Sequence, residues 1–338
     1  MNSVWFPSSA RDGQHECVTY LELNDCHSQL DLLLDNHKSI QLTPGRFKGR
    51  LLAMQTGAAS IFVENYNRAL EVELLLPDGD FTFVAAISGL TEDVAFGGVT
   101  TTTDWVLVGP PKAEHHTVLP PDCLSVVAKV EMNALLSHPA ILPEVADWFS
   151  SVRERPVLVS SFLLAERFRS GALAVLESMV SGRAKAIREA VDQAFILDLV
   201  IGFNLEWLRQ NSYVTHKPSK ARERFLLARR LLLGVREDVG KRFKSSIRDF
   251  GSQRLFELAF SNQVNMGPLA YSRLARLQNA RQKLLDKTFE QESIGDIAAE
   301  EGFWDWSRFT SYYNRQFCEL PSETRSRLLE DARGSCRA

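Results

Sequence analysis

The stretch between Ser293 and Pro321 constrains this 338-residue chain more than any other. Ser293-Ile294-Gly295-Asp296 has the form of a helix N-cap with an acid three residues on. Ile294, Ile297 and Ala298 supply an inner face. Gly302 follows Glu300-Glu301, where a left-handed residue is needed to end a helix. Phe303 can then fill the space before a second helix, which Asp305 caps. That helix repeats Phe309, Tyr313 and Phe317 at steps of four, so all three lie on one side. Pro321 closes the unit. The spacing predicts two short helices across a tight turn.

The other side of the second helix carries Arg308, Ser311, Tyr312 and Arg315 at i, i+3, i+4 and i+7. They form one exposed stripe. Two arginines with hydrogen-bonding neighbours suit a DNA major groove. There Arg grips guanine edges bidentately, Ser serves several bases, and phosphates accept the rest. Taken alone, the stripe also fits a plain solvated helix face.

A similar unit lies upstream. Ser252 can cap a helix that buries Phe256, Phe260 and Val264 and shows Arg254, Glu257, Leu258 and Ser261. Arg254 and Glu257 also fit an exposed ion pair worth about 0.3–0.5 kcal/mol. Between the units, Leu274, Leu277, Ala280, Leu284 and Leu285 run at helical spacing. A helix over residues 268–286 is about 28 Å long. That is near the roughly 34 Å between successive major-groove faces of a duplex.

Charge separates the two ends of the chain. Residues 219–338 hold 22 Lys+Arg against 16 Asp+Glu, whereas residues 1–218 hold 17 against 26. Within the basic part, residues 220–287 hold 16 against 6, with Lys241, Arg242, Lys244 and Arg248 close together. Such an excess favours phosphate contact, which is salt-sensitive and blind to sequence. No apolar run reaches the roughly 18–20 residues needed to span a bilayer. No basic region followed by an apolar core opens the chain, so the cytoplasm is the expected location. The odd number of cysteines, five at wide spacing, reads as reduced thiols.

Short β-favouring runs recur at 59–66, 69–76, 81–87, 105–108 and 124–130, with Pro77-Asp78-Gly79-Asp80 as a turn. Their spacing favours a small barrel or sandwich. A short helix around Leu30 to Leu34, another at 144–149 and longer ones at 158–179 and 184–208 are predicted. Ile187, Val191, Phe195, Leu199 and Phe203 share one face, fit for a partner subunit or for a core within the chain. Residues 210–219, with Pro218, are the expected linker. His115, His116 and Cys123 are the nearest approach to a metal set. Adjacent histidines on a strand point to opposite faces, so no metal and no other cofactor is expected. No nucleophilic triad or phosphate loop has useful spacing, and an enzyme is not expected.

Ile297-Ala298, Gly302-Phe303, Ser307, Phe309, Tyr313, Phe317 and Pro321 resemble the signature of AraC/XylS-type transcription regulators over about thirty residues. Cys318 departs from it, standing where the family usually has Gly. Met266-Gly267-Pro268-Leu269-Ala270-Tyr271 resembles the entry to the family's connecting helix. The resemblance implies base contacts by Ser307, Arg308 and Ser311, and by Arg254, Glu257 and Leu258 in the first unit. The first unit fits less well. Its turn, Asp249-Phe250-Gly251-Ser252, leaves two registers open, and restoring Gly251 to the turn puts Ser246 where an apolar residue belongs.

Gly45-Arg46-Phe47-Lys48-Gly49, Val63-Glu64-Asn65-Tyr66 and Gly302-Phe303-Trp304 look similar to the group containing the ethanolamine-operon activator. The expected architecture is multidomain. A small cupin-like β-barrel for sensing spans residues 1–150, and a helical dimerisation segment with linker spans 151–218. An all-α DNA-binding domain, with two helix-turn-helix units joined by a long helix, spans 219–338. The implied function is a DNA-binding transcription regulator acting on double-stranded DNA as a homodimer, with a small-molecule effector. Control by a protein partner or by dimerisation alone is an alternative. A metal-dependent barrel enzyme with a C-terminal interaction module is another.

Overall fold

The computed structural model describes residues 5–6, 18–31, 37–55, 57–88, 95–96, 99–100, 104–153, 155–180, 184–216, 219–233 and 239–327. The chain divides into two compact units, one of residues 1–38 and 48–217, the other of 39–47 and 218–338.

The first unit is built on β1 (Val18–Leu23), β3 (Gly49–Gln55), β4 (Ala59–Tyr66), β5 (Leu70–Leu75), β6 (Asp80–Ser88), β9 (Trp105–Gly109), β10 (Glu114–Leu119) and β11 (Cys123–Glu131). It also holds α1 (Cys26–Asp31), the short pair β7 (Ala95–Phe96) and β8 (Val99–Thr100), α2 (Met132–Leu136), α3 (Pro143–Ser151), β12 (Val157–Ser160), α4 (Phe162–Val180), α5 (Ala184–Gln210) and β13 (Thr215–His216). Strand β2 (His37–Gln41) carries the chain out of this unit.

Eight strands form one antiparallel sheet in the order β1-β3-β4-β11-β6-β9-β12-β13. Among the described residues no pairing joins β1 to β13, so the expected closed barrel is instead an open sheet. The two-residue period of a strand explains its buried face. Leu52, Met54, Ile61, Val63, Phe83, Ala85, Val106, Val108, Val126 and Ala128 all point into one core. Opposite partners such as Val63 and Val126 set the register. Fully burying each side chain of this size contributes on the order of 1.5–3 kcal/mol.

The helical pair is part of that core. Phe168, Ala172 and Val175 of α4 and Phe195, Leu199 and Phe203 of α5 pack into the cluster with the sheet residues. From Val191 to Phe203 the stripe on α5 therefore serves an intrachain core, while the Ile187 side chain lies outside the described residues, and residues 151–217 are not a segment apart. The helix expected over 158–179 begins only at Phe162, because residues 157–160 pair with β9. The linker expected at 210–219 is partly structured: Thr215 and His216 pair with β12, and buried Tyr213 donates to the Phe203 carbonyl at 3.1 Å. Most of the short helix expected at residues 30–34 lies outside the described residues.

The second unit is helical beyond residue 218: α6 (Lys220–Leu233), α7 (Val239–Phe250), α8 (Gln253–Val264), α9 (Pro268–Leu285), a 3-10 turn (Lys287–Phe289), α10 (Ile294–Glu300) and α11 (Trp306–Phe317). Residues 321–327 are helical as well. Around α8, ring contacts link Phe225, Phe243, Phe250, Phe256, Phe260 and Tyr271. Around α11, a separate core holds Leu277, Ala280, Leu284, Ile297, Ala298, Phe309, Tyr313 and Phe317. Helix α9 contributes to both. Segment 39–47 belongs to this unit, although the sensing region was expected to run unbroken from 1 to 150.

Candidate nucleic-acid interface

Helices α10 and α11 are bounded as the local chemistry demands. The Ser293 hydroxyl accepts from the Asp296 amide at 3.1 Å and caps α10. Gly302 ends it with φ +77°. Asp305 caps α11 twice over: Oδ1 accepts from the Arg308 amide at 3.0 Å, and Oδ2 lies 3.3 Å from the Arg308 guanidinium. The cap thus also orients Arg308, whose side chain is 77% exposed.

Phe309, Tyr313 and Phe317 are buried, and Ser307, Arg308, Ser311 and Arg315 are exposed on the opposite side. Tyr312 differs from the expectation. It is half-buried against the core, with the Arg273 guanidinium 4.5 Å above its ring. The positive charge that α9 places there was not visible in the stripe. Trp304 and Trp306, at the start of α11, are exposed and add stacking surface that the stripe also omits. Their clustering around the cap, Trp304-Asp305-Trp306, was the available signal.

A buried ion pair fixes α9 to the end of α11. Arg281 pairs with Glu319, donates to Tyr313 Oη at 3.3 Å, and lies 4.7 Å from the Phe317 ring centroid. Burial alone would raise the Glu319 carboxyl. Arg281 beside it, hydrogen bonds from Thr324 and Arg281, and the Arg327 charge hold it below its ordinary value. Burial pushes the Tyr313 phenol up to about 12, so it stays neutral. Arg276 donates to the Glu301 and Gly302 carbonyls at 3.2 Å, tying α9 to the turn as well.

The first unit settles its register in favour of Gly251 at the turn. Helix α7 ends at Phe250, Gly251 has φ +89°, and the Ser252 hydroxyl accepts from Leu255. Ser246 sits in the apolar place and is buried there, donating to the Leu231 carbonyl at 3.0 Å. Arg254, Glu257, Leu258 and Ser261 are exposed and line a surface groove of about 470 Å³ with Phe243 and Leu269. Glu257 accepts from Gln253 at 3.0 Å. Lys244 and Arg248 are exposed nearby, while the side chains of Lys241 and Arg242 lie outside the described residues.

In the first unit of the chain, His116 pairs with Glu71 at 2.7 Å, and both are buried. Among the described residues no group of three His, Cys, Asp or Glu side chains is placed to hold a metal ion. No described helix is long and apolar enough to cross a membrane.

The family model described as a helix-turn-helix domain matches residues 251–327. Residues 251–327 are thus similar to helix-turn-helix domains. The match opens at Gly251, so it takes in α8 but not α7, the helix whose sequence fitted least. A curated relative, the regulatory protein HrpB of Ralstonia nicotianae, is 37% identical over 73 residues, which are 22% of this chain and 15% of that protein. The chain therefore spans only about 15% of that relative's length. Crystal structures of ToxT from Vibrio cholerae also resemble the chain. One, bound to (E)-4-(8-methylnaphthalen-1-yl)but-3-enoic acid, is 13% identical over 83% of this chain and 99% of that one, with a TM-score of 0.27. Another, bound to unsaturated fatty acid, is 13% identical over 90% and 94%, with a TM-score of 0.25. Likeness at that level carries no argument about this chain.

Proposed function

We propose that the chain is a sequence-specific DNA-binding transcription regulator. The observation that carries this reading is the capped helix α11, which exposes Ser307, Arg308, Ser311 and Arg315 on one side of a helix-turn-helix domain. These four side chains read base edges, and Trp304, Trp306 and Arg273 hold the backbone around them. Helix α8 contributes Arg254, Glu257 and Leu258, with more weight on phosphate contact because Lys244 and Arg248 lie close by in sequence. Tyr312 serves the interface through its hydroxyl edge only. Selection of bound sequences from a randomised duplex pool by the full-length protein tests the reading, and enrichment of no sequence would refute it.

The reading extends to an effector and a homodimer. Buried Glu64 of β4 carries an oxygen, Oε2, with no hydrogen-bond partner among the described residues, beside the buried Tyr66 ring. That supports a small polar effector in the sensing unit. A specific ligand at 100 times its Kd would stabilise the protein by about 2.7 kcal/mol. Leu197, Leu205 and Leu208 of α5 are exposed and support self-association, which sedimentation velocity measures directly. Resemblance at residues 45–49, 63–66 and 302–304 supports kinship with the group containing the ethanolamine-operon activator, and so activation in the cytoplasm.

A further inference from the structure

The C-terminal unit is not made of C-terminal sequence alone. Residues 39–47 lie between strands of the sensing unit in sequence, yet they pack as part of the DNA-binding unit. Their contacts converge on the C-terminal end of α11. A helix leaves its last four carbonyls without intrahelical donors. In α11 the Asn314 carbonyl takes the Cys318 amide at 2.8 Å. The Gln316 carbonyl takes the Gly45 amide at 2.8 Å and Gln41 Nε2 at 3.4 Å. The Cys318 carbonyl takes Arg46 Nε at 3.1 Å. The Arg46 charge at this end also complements the helix dipole.

Gln41 is the hinge pin of this strap. It is 2% exposed. Its carbonyl accepts from Gln316 Nε2 at 2.8 Å, and its amide donates to Gln278 Oε1 of α9 at 3.4 Å. Its side chain closes the turn that follows, donating to the Thr43 and Gly45 carbonyls at 2.9 and 2.7 Å. Gly45 makes that turn with φ 123°, a conformation suited to glycine. Ile40, Leu42 and Phe47 are buried along the segment and anchor it. One residue thus binds both the connecting helix and the end of the recognition helix.

We propose that Gln41 and Arg46 are positioning residues for DNA recognition. The strap fixes the angle of α11 against α9, and so the pose in which Ser307, Arg308 and Ser311 meet base edges. A misplacement of the reading helix by a fraction of an ångström breaks bidentate base contacts but leaves phosphate contacts largely intact. The strap therefore sets specificity more than general affinity. This inference rests on the proposal that α11 reads DNA.

The test uses the full-length protein and two duplexes: one selected by the wild type from a randomised pool, and one of random sequence and equal length. Gln41→Ala is expected to weaken binding to the selected duplex about tenfold or more, with binding to the random duplex and the salt slope unchanged. Arg46 is exposed, so Arg46→Ala should fold regardless; it is expected to lose about three- to fivefold on the selected duplex only, with partial rescue in Arg46→Lys. Selected-duplex binding within twofold of wild type in both alanine variants would overturn the proposal. Equal losses on both duplexes would overturn it too, since they would mark a merely structural strap. Arg308→Ala separates the two claims. If it loses selected binding while the strap variants do not, only the strap fails; if the wild type selects no sequence, the DNA reading itself fails.

Discussion

The two helix-turn-helix units share α9 but are held together by different chemistry. The second is polar at its joints: Ser293 and Asp305 cap its helices, Arg276 holds its turn, and the buried Arg281–Glu319 pair locks its base. The first relies more on ring packing, from Phe225 through Phe243, Phe250, Phe256 and Phe260 to Tyr271, with fewer polar joints: the Ser252 cap, Ser246 donating to Leu231, and buried Arg229 donating to Tyr271 Oη at 2.7 Å. Their outward faces differ in the same sense. Helix α11 shows two arginines and two serines, whereas α8 mixes Arg254 with Glu257 and Leu258 over a groove. Directional joints suit a helix that must present side chains at fixed angles. Apolar packing is less exacting, and suits a helix that grips the duplex backbone.

The contrast can be broken most severely at the ion pair. Arg281→Met leaves buried Glu319 with Arg327 as its remaining ion-pair partner and should cost about 3 kcal/mol, the low end for a broken buried pair, read by hydrogen exchange as loss of protection in α10 and α11 before α8. The same pair gives a pH dependence. The Glu319 carboxyl is held below its ordinary value, so its stabilisation is complete above the ordinary carboxylate range and is lost as pH falls through the lowered value. Acid should therefore loosen the second unit ahead of the first, and Glu319→Gln should remove the difference.

The turns give a smaller contrast. Gly302→Ala meets both the left-handed backbone and Arg276 Nη1 at 3.2 Å, and should cost about 2 kcal/mol. Gly251→Ala has nothing within 4 Å of the new methyl and should cost about 1 kcal/mol. Equal costs by chemical denaturation would contradict the tighter fit assigned to the second turn. Arg254→Ala should weaken selected and random duplexes alike and reduce the salt slope by about one, as a phosphate contact does. The smallest effect expected is a gain. Cys318 holds φ 53° at the end of α11, and Cys318→Gly should stabilise by about 0.5 kcal/mol, the relieved strain being partly offset by glycine's unfolded-state freedom.

What could be read from the sequence was what local chemistry decides. Ser293, Gly302, Asp305 and the Phe309-Tyr313-Phe317 repeat act within one turn of their neighbours, so spacing alone located α10 and α11. The turn at Gly251 was ambiguous because Ser246 finds its partner fifteen residues away, at Leu231. Residues 157–160 looked helical because an apolar run has no period of its own, and only pairing with β9 makes them a strand. Tyr312 looked free because Arg273 comes from another helix. The strap was beyond reach for the same reason: Gln41 and Gln316 are 275 positions apart, and the Pro44-Gly45 turn signal says nothing about what it will cap.

The central claim is that α11 reads bases. The affinity of full-length Arg308→Ala for the selected and the random duplex, measured at one salt concentration, tests it most directly. The variant is expected to lose about 1–3 kcal/mol on the selected duplex, with little change on the random one. An equal loss on both would show that Arg308 holds phosphate, and that the exposed stripe of α11 is not where sequence is read.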